Sequence, residues 1–293
     1  MTAAVGATRR TIASAADRLN VGSWVEKPVA LAAAVHQIQD VTDLLARQFI
    51  ADGFVKIENA VPSDVAQACA ELLWAEIGKD PDDEATWTQP VHWVGDMAQE
   101  PFVRAANASV LHEAFDALVG PGRWVPRSSL GSFPLRFPHP DEPDDAGWHV
   151  EGSYQPPGAN SYWLNLHSKE RALLMLFLFS TVDEHDAPTR IRVGSHRDVP
   201  PLLQPFGDRG VSMFRIAAEI AAVSAHRPIA LATGVAGDVY LCHPFLVHAA
   251  QPHHGRQPRF MAQPPLYPAK PLRLTRDDGD FSPVERAILQ AIS

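Results

Sequence analysis

Hydrophobic and polar positions alternate along this chain in short bursts, and most of the bursts are too brief for long helices. From Asp40 to Ala51 the spacing of Val41, Leu44, Leu45 and Phe49 fits one face of an amphipathic helix, which Gly53 ends. Phe54-Val-Lys-Ile-Glu58 then alternates with the period of a strand. Ser63, following Pro62, opens a second helix whose apolar positions at 65, 66, 69, 72, 73 and 77 carry it to Gly78. Residues 79–107 are acidic, then Trp- and Pro-rich; Trp87, Trp93 and Phe102 punctuate a segment that reads as irregular, its aromatic rings covering the outside of a sheet. Val110–Leu118 is periodic as a helix stopped by Gly120, and Trp124–Pro126 and Leu130–Phe137 read as strands.

Two loops, Pro138–Ala146 and Gln155–Asn160, flank a short extended stretch at Gly147–Tyr154 and are placed to serve as lids. The acids of the first loop read as solvated. Tyr162–His167, Ala172–Thr181 and Pro188–Val193 follow as strands; the second is almost wholly apolar and belongs mid-sheet, covered on both faces. Pro200–Arg227 is helical with interruptions near Gly207 and Gly210, short strands resume from Ile229 to Pro265, and Pro283–Leu289 is a terminal helix. Residues 1 to about 36 hold no sustained period beyond one short helix at 8–19. The pattern predicts an α+β chain with a mainly β core and with N-terminal and inserted helices. It divides the chain into an arm at 1–40, a main domain at 41–266 and a tail with a short helix at 267–293.

Composition narrows the class. A chain of 293 residues with 46% hydrophobic content can bury a sizeable core, and 26 prolines, above the usual ~5%, imply many short elements joined by rigid turns. The net charge of -9, with no Lys/Arg cluster longer than a dipeptide, argues against a nucleic-acid or anionic-membrane partner and for a small-molecule substrate. Cys69 and Cys242 are too few for a disulfide framework, which fits a reducing, cytoplasmic setting. The longest apolar run, Ala172–Phe179, falls well short of the ~20 residues that cross a bilayer. The Ala-rich first sixteen residues, with Arg9 and Arg10, read as a loosely docked leader rather than a transit peptide.

The chemistry concentrates at Gly147–Tyr154. In extended backbone His149 and Glu151, two residues apart, point to the same face and can converge on one metal ion. His248, in the second apolar run Val239–Gln251, is the candidate third ligand; two histidines and a carboxylate on one face of iron leave three positions open, as in non-haem Fe(II) oxygenases. His243 competes for that position but precedes Pro244, where a bend is expected. His253 and His254 sit in a Pro-His-His-Gly turn and read as solvated, and Arg190 and Arg192 read as makers of outward salt bridges.

Taken in order, His149-x-Glu151, Gly194-Ser195-His196-Arg197, His248 and Arg259 resemble the signature of the phytanoyl-CoA dioxygenase family of Fe(II)/2-oxoglutarate oxygenases, over roughly residues 41 to 266. The resemblance implies a double-stranded β-helix, a cupin-like jelly roll with its core at about 123–266. It implies His149, Glu151 and His248 as iron ligands, with Fe(II) as cofactor and 2-oxoglutarate and O2 as cosubstrates. Arg259 then takes the distal carboxylate of 2-oxoglutarate, a task for which a guanidinium fork is suited, and is preferred to Arg256 in the preceding turn. Trp148 and Tyr154, flanking the ligands, help to exclude water. The leading outcome is hydroxylation of a small organic substrate with release of succinate and CO2. Two residues depart from the pattern. Glu151 stands where Asp is usual, lengthening the ligand arm by a methylene at unchanged charge; Ala250 stands where a hydroxyl often helps to hold 2-oxoglutarate, so Tyr162, Trp163 and His167 on a neighbouring strand are the candidates for a second anchor. A cupin-like metalloenzyme without 2-oxoglutarate would give Arg259 no task, and a catalytically silent jelly-roll binding protein would be expected to have lost a ligand.

Overall fold

The computed structural model describes residues 42–293; the arm at 1–40 and the helix expected at 8–19 lie outside the described residues. Contacts divide the chain at residues 45 and 46, and the architecture below is that of 46–293. The strands are β1 (Phe54–Ile57), β2 (Val91–Val94), β3 (Phe133–Arg136), β4 (Trp163–Leu164), β5 (Leu173–Leu178), β6 (Arg190–Arg192), β7 (Val211–Ser212), β8 (Ile229–Leu231), β9 (Val239–Cys242), β10 (His248–Ala249), β11 (Met261–Ala262) and β12 (Pro265–Leu266). All their pairings are antiparallel. One sheet runs β1-β9-β5-β11, with β12 also on β5; a second runs β10-β6-β8; β2 pairs β3 and β4 pairs β7.

The uniform apolarity of β5 is explained by its two covered faces. Leu174, Leu176 and Leu178 pack with Ile191 of β6, Tyr240 and Cys242 of β9, Leu246 and Met261, so residues of both larger sheets share one core. The alternate positions face the other way, where Phe177 and Phe179 stack and Phe179 meets Phe102 and Phe133 edge-on or tilted. Phe102 belongs to a helix, Glu100–Ala106, that shields this face. Other helices occupy Ser63–Ile77, Ser109–Leu118, Val199–Leu203, Met213–Val223 and Pro283–Ile292.

The helix described over 42–52 ends at Gly53, whose φ of 85° places it in the left-handed region. A side chain there would also collide with the ring of His196 at Nδ1. Glycine is therefore required both by conformation and by space. His196 in turn donates from Nε2 to the carbonyl of Ile50, tying the Gly-Ser-His turn to this helix.

Several expectations need correction. The segment 79–107 is not irregular throughout: it holds β2 and the helix Glu100–Ala106, both too short to show a period. Trp124–Pro126 forms only an isolated bridge, Trp124 to Pro268, because Pro126 offers no N–H to continue a ladder. Gly147–Tyr154 is extended but belongs to no regular strand, and Tyr162–His167 shrinks to β4. His253 is buried rather than solvated: its Nε2 donates to the Gln257 carbonyl and its Nδ1 accepts from Gly255.

Candidate metal centre

A single backbone bridge assembles the site. His149 and His248 exchange reciprocal N–H···O bonds of 3.0 and 2.9 Å, joining the extended segment to β10. Directly opposed residues project to the same side of a ladder, and the two imidazoles meet with ring centroids 4.5 Å apart. Glu151, two residues on, brings Oε1 to 3.8 Å from His149 Nε2 and 3.7 Å from His248 Nε2. One donor atom from each of the three lies within 4.8 Å of the others.

The hydrogen bonds behind the rings decide which nitrogens face inward. His149 Nδ1 donates to the Gly147 carbonyl at 2.8 Å, and His248 Nδ1 donates to the Leu246 carbonyl at 3.0 Å. A carbonyl only accepts, so Nδ1 carries the proton in both rings and the Nε2 lone pairs point at the centre. His248 Nε2 is buried and has no hydrogen-bond partner within the protein. The donor set fits a divalent ion of the first transition row: two neutral imidazoles and one carboxylate.

Electrostatics agrees. Burial alone would raise the Glu151 carboxyl, but His149, His248 and Arg171 together hold it well below the ordinary carboxylate range. Arg171 reaches to 3.9 Å from Oε2 and donates from Nε to the Gly152 carbonyl. Burial lowers both histidines; Glu151 overrides it at His149, which is raised, while His248, beside His149, stays lowered.

A cavity of about 260 Å³ opens beside the three residues, lined also by Trp93, Arg136, Asp145, Thr189, Ala250 and Arg259. Arg259 is 1% exposed and donates to the carbonyls of Ala187 and Pro134 at 2.7 and 3.0 Å. Burial, with Arg136 beside it, pushes Arg259 well below the usual arginine range. Its neighbour Arg136, 2% exposed, donates from Nη2 to Asp145 at 2.6 Å.

Of the residues singled out from sequence, His149, Glu151, His248 and Arg259 come together at this cavity. Tyr162 and His167 do not line it: Tyr162 is largely exposed, and His167 donates from Nδ1 to the Leu272 carbonyl with Nε2 3.2 Å from Asp208. His243 is sequestered, donating from Nε2 to the Val284 carbonyl and accepting at Nδ1 from Phe245. Arg190 and Arg192 are not outward ion pairs, since both guanidiniums lie over the Trp148 ring at 4.9 and 4.1 Å. The aromatic trio of 79–107 splits: Trp87 and Phe102 are core, whereas Trp93 is 56% exposed at the cavity.

Arg136, Asp145 and Arg171 were missed. A signal existed for the two arginines: Arg136 stands inside Phe133-Pro-Leu-Arg-Phe137 and Arg171 abuts the apolar run that begins at Ala172. A cation embedded among residues bound for the core needs a buried partner or a task.

No family profile matches this sequence, and no curated protein does. Solved structures of similar fold do exist. One is the non-haem alpha-ketoglutarate-dependent carbocyclase SnoK of nogalamycin biosynthesis, with a TM-score of 0.55 at 18% identity over 79% of this chain and 85% of that one. Another is the non-haem alpha-ketoglutarate-dependent epimerase SnoN of the same biosynthesis, with a TM-score of 0.52 at 17% identity over 77% and 81%. A third is the hypothetical protein JW0805 from Escherichia coli, with a TM-score of 0.54 at 11% identity over 77% and 68%. At these identities the likeness is one of fold.

Proposed function

We propose that the chain is a non-haem Fe(II)/2-oxoglutarate-dependent oxygenase of the phytanoyl-CoA dioxygenase kind, with its catalytic domain at 41–266 and a double-stranded β-helix core. The observation that carries this reading is the convergence of His149, Glu151 and His248, with a lone-pair-bearing, unpartnered Nε2 aimed at their common centre and a fully buried arginine across the same cavity. A cupin-like metal site alone would explain the three ligands but not the guanidinium.

In this reading His149, Glu151 and His248 hold the iron, and the Gly147 and Leu246 carbonyls keep both imidazoles in the ligating tautomer. Arg171 lies 3.9 Å from the outer carboxylate oxygen of Glu151 and favours its charged form. Arg259 receives the distal carboxylate of 2-oxoglutarate, and Trp148, with the guanidiniums of Arg190 and Arg192 over its ring, and the buried Tyr154 keep water from the flanks. Bound iron would couple oxidative decarboxylation of 2-oxoglutarate by O2, giving succinate and CO2, to oxidation of a C–H bond in a second, small organic substrate. Hydroxylation is the leading outcome. The names of SnoK and SnoN, a carbocyclase and an epimerase, show that similar folds also serve ring closure and inversion.

Anaerobic titration tests the assignment. Fe(II) should bind with 1:1 stoichiometry, and 2-oxoglutarate added next should produce a weak visible charge-transfer band. Glu151→Ala should lose at least ~10-fold in Fe(II) affinity, as removal of a ligand or its support does. Retention of iron and band by that variant would remove Glu151 from the ligand set.

A further inference from the structure

Arg136 and Arg259 are directly opposed across a backbone bridge, with reciprocal N–H···O bonds of 3.0 and 2.8 Å, so their side chains leave the sheet on the same face. Both line the cavity beside His149, Glu151 and His248. The two carboxylates that also line it, Asp145 and Glu151, do not meet all of the arginines' donors. Glu151 is engaged by the two histidines and Arg171, Asp145 takes one guanidinium nitrogen of Arg136, and Arg259 bonds only to carbonyls. Three guanidinium nitrogens, Nε and Nη1 of Arg136 and Nε of Arg259, are buried without a hydrogen-bond partner, and Oδ1 of Asp145, although also unpartnered, lies within hydrogen-bond reach of none of them. Buried cationic donors left unmet inside a cavity call for an anion. Ala250, which also lines the cavity, offers no side-chain donor to share the work.

Resting on the function proposed above, we infer that Arg136 is a second anchor for the distal carboxylate of 2-oxoglutarate, sharing it with Arg259. The two arginines stand on one face and both line the cavity, and a single carboxylate has enough lone pairs to accept from both. Asp145 then holds Arg136 in place without neutralising the pair. This role replaces the one that Tyr162 and His167, away from the cavity, do not fill.

The test compares two 2-oxoacids that share the chelating head. 2-Oxoglutarate carries the distal carboxylate; 2-oxobutyrate lacks it. Both are titrated calorimetrically, without O2, into the full-length protein loaded with Fe(II). Arg136→Gln should weaken 2-oxoglutarate by about tenfold or more, the scale of a lost charge-assisted hydrogen bond, while 2-oxobutyrate and Fe(II) shift by no more than about twofold. Arg136→Lys, which keeps the charge and loses the planar donor set, should fall between; should circular dichroism show the Gln variant unfolded, the Lys variant carries the same comparison with a threshold of about threefold. Equal weakening of both acids would overturn the inference, because the effect would not involve the distal carboxylate. Unchanged 2-oxoglutarate affinity with lost turnover would overturn it too, assigning Arg136 to the second substrate. Failure of the wild type to bind 2-oxoglutarate would instead strike the underlying functional reading, and it shows before any variant is made.

Discussion

His196 shows how burial sets the chemistry of a single residue. Burial drives its pKa down, opposed in part by the Ile50 carbonyl and reinforced by Arg197 and Arg227, to about 4. The unfolded imidazole, with its ordinary value of 6.5, takes a proton first as the pH falls. The stability that this ring contributes is therefore present above pH 6.5 and drains between 6.5 and 4, by about 3 kcal/mol in all. His243, whose ring lies 5.0 Å from that of His196 and is buried as completely, is shifted in the same direction. Guanidinium unfolding at pH 7.5, 6 and 5 should show this loss, and His196→Asn should flatten the slope relative to wild type. An identical slope in the variant would place the acid sensitivity elsewhere. At this scale the sequence was most legible where two residues share one extended backbone, as at His149 and Glu151, and least where contact is made by folding. Arg136 and Asp145 are near in sequence yet meet only because a Pro-rich loop turns back, and Arg171 meets Glu151 across the loop between them.

At the scale of the element, legibility followed length and capping. The helices at Ser63–Ile77 and Ser109–Leu118 carry enough turns for their apolar stripe to be read, and Gly78 closes the first in the left-handed conformation. Two-residue strands such as β4, β10 and β11 have no period to read; partners elsewhere in the sheets define them. The terminal helix Pro283–Ile292 is the best-specified element, with a capping box in which Ser282 accepts from Glu285 N–H and the Glu285 carboxylate accepts from Ser282 N–H. Glu285 also accepts from Arg273 N–H and from two nitrogens of Arg276. Ser282→Ala should thus cost about 1 kcal/mol. Glu285→Ala should cost about 3 kcal/mol or more, because it leaves the nearly buried Arg276 unpaired. Urea midpoints at unchanged slope would measure both, and equal costs would mean that the carboxylate serves the cap alone. The helix packs on the Gly-Ser-His turn and accepts from His243 through Val284, so these losses should appear as loss of the whole domain's cooperative transition.

For the molecule as a whole, the placement of the site between sheets has a thermodynamic consequence. The His149–His248 bridge joins the extended segment to the sheet β10-β6-β8, while the Arg136–Arg259 bridge ties β3 to the chain entering β11 of the larger sheet. The His149–His248 bridge has no ladder beyond it, and the Arg136–Arg259 bridge is followed only by a bond from Gln263 N–H to the Ser132 carbonyl; the bridged residues lie about 100 and about 120 positions apart in sequence. A ligand that engages both sides of a bridge binds only the closed form and stabilises it by about 2.7 kcal/mol at a concentration of 100 Kd. On the proposed function, metal alone would touch the first bridge, through His149, Glu151 and His248, and 2-oxoglutarate would add the second, through the arginines. Amide exchange should therefore slow at 147–151 and 246–250 when Fe(II) is added without O2, and at 134–137 and 258–262 only when 2-oxoglutarate follows. The order matters, because it separates the two halves of the proposed site. Protection spreading over both regions on metal alone would mean that the sheets close as one body, and that the arginines report on iron rather than on the acid. Protection of neither region would place the ion, and the chemistry with it, somewhere other than this cavity.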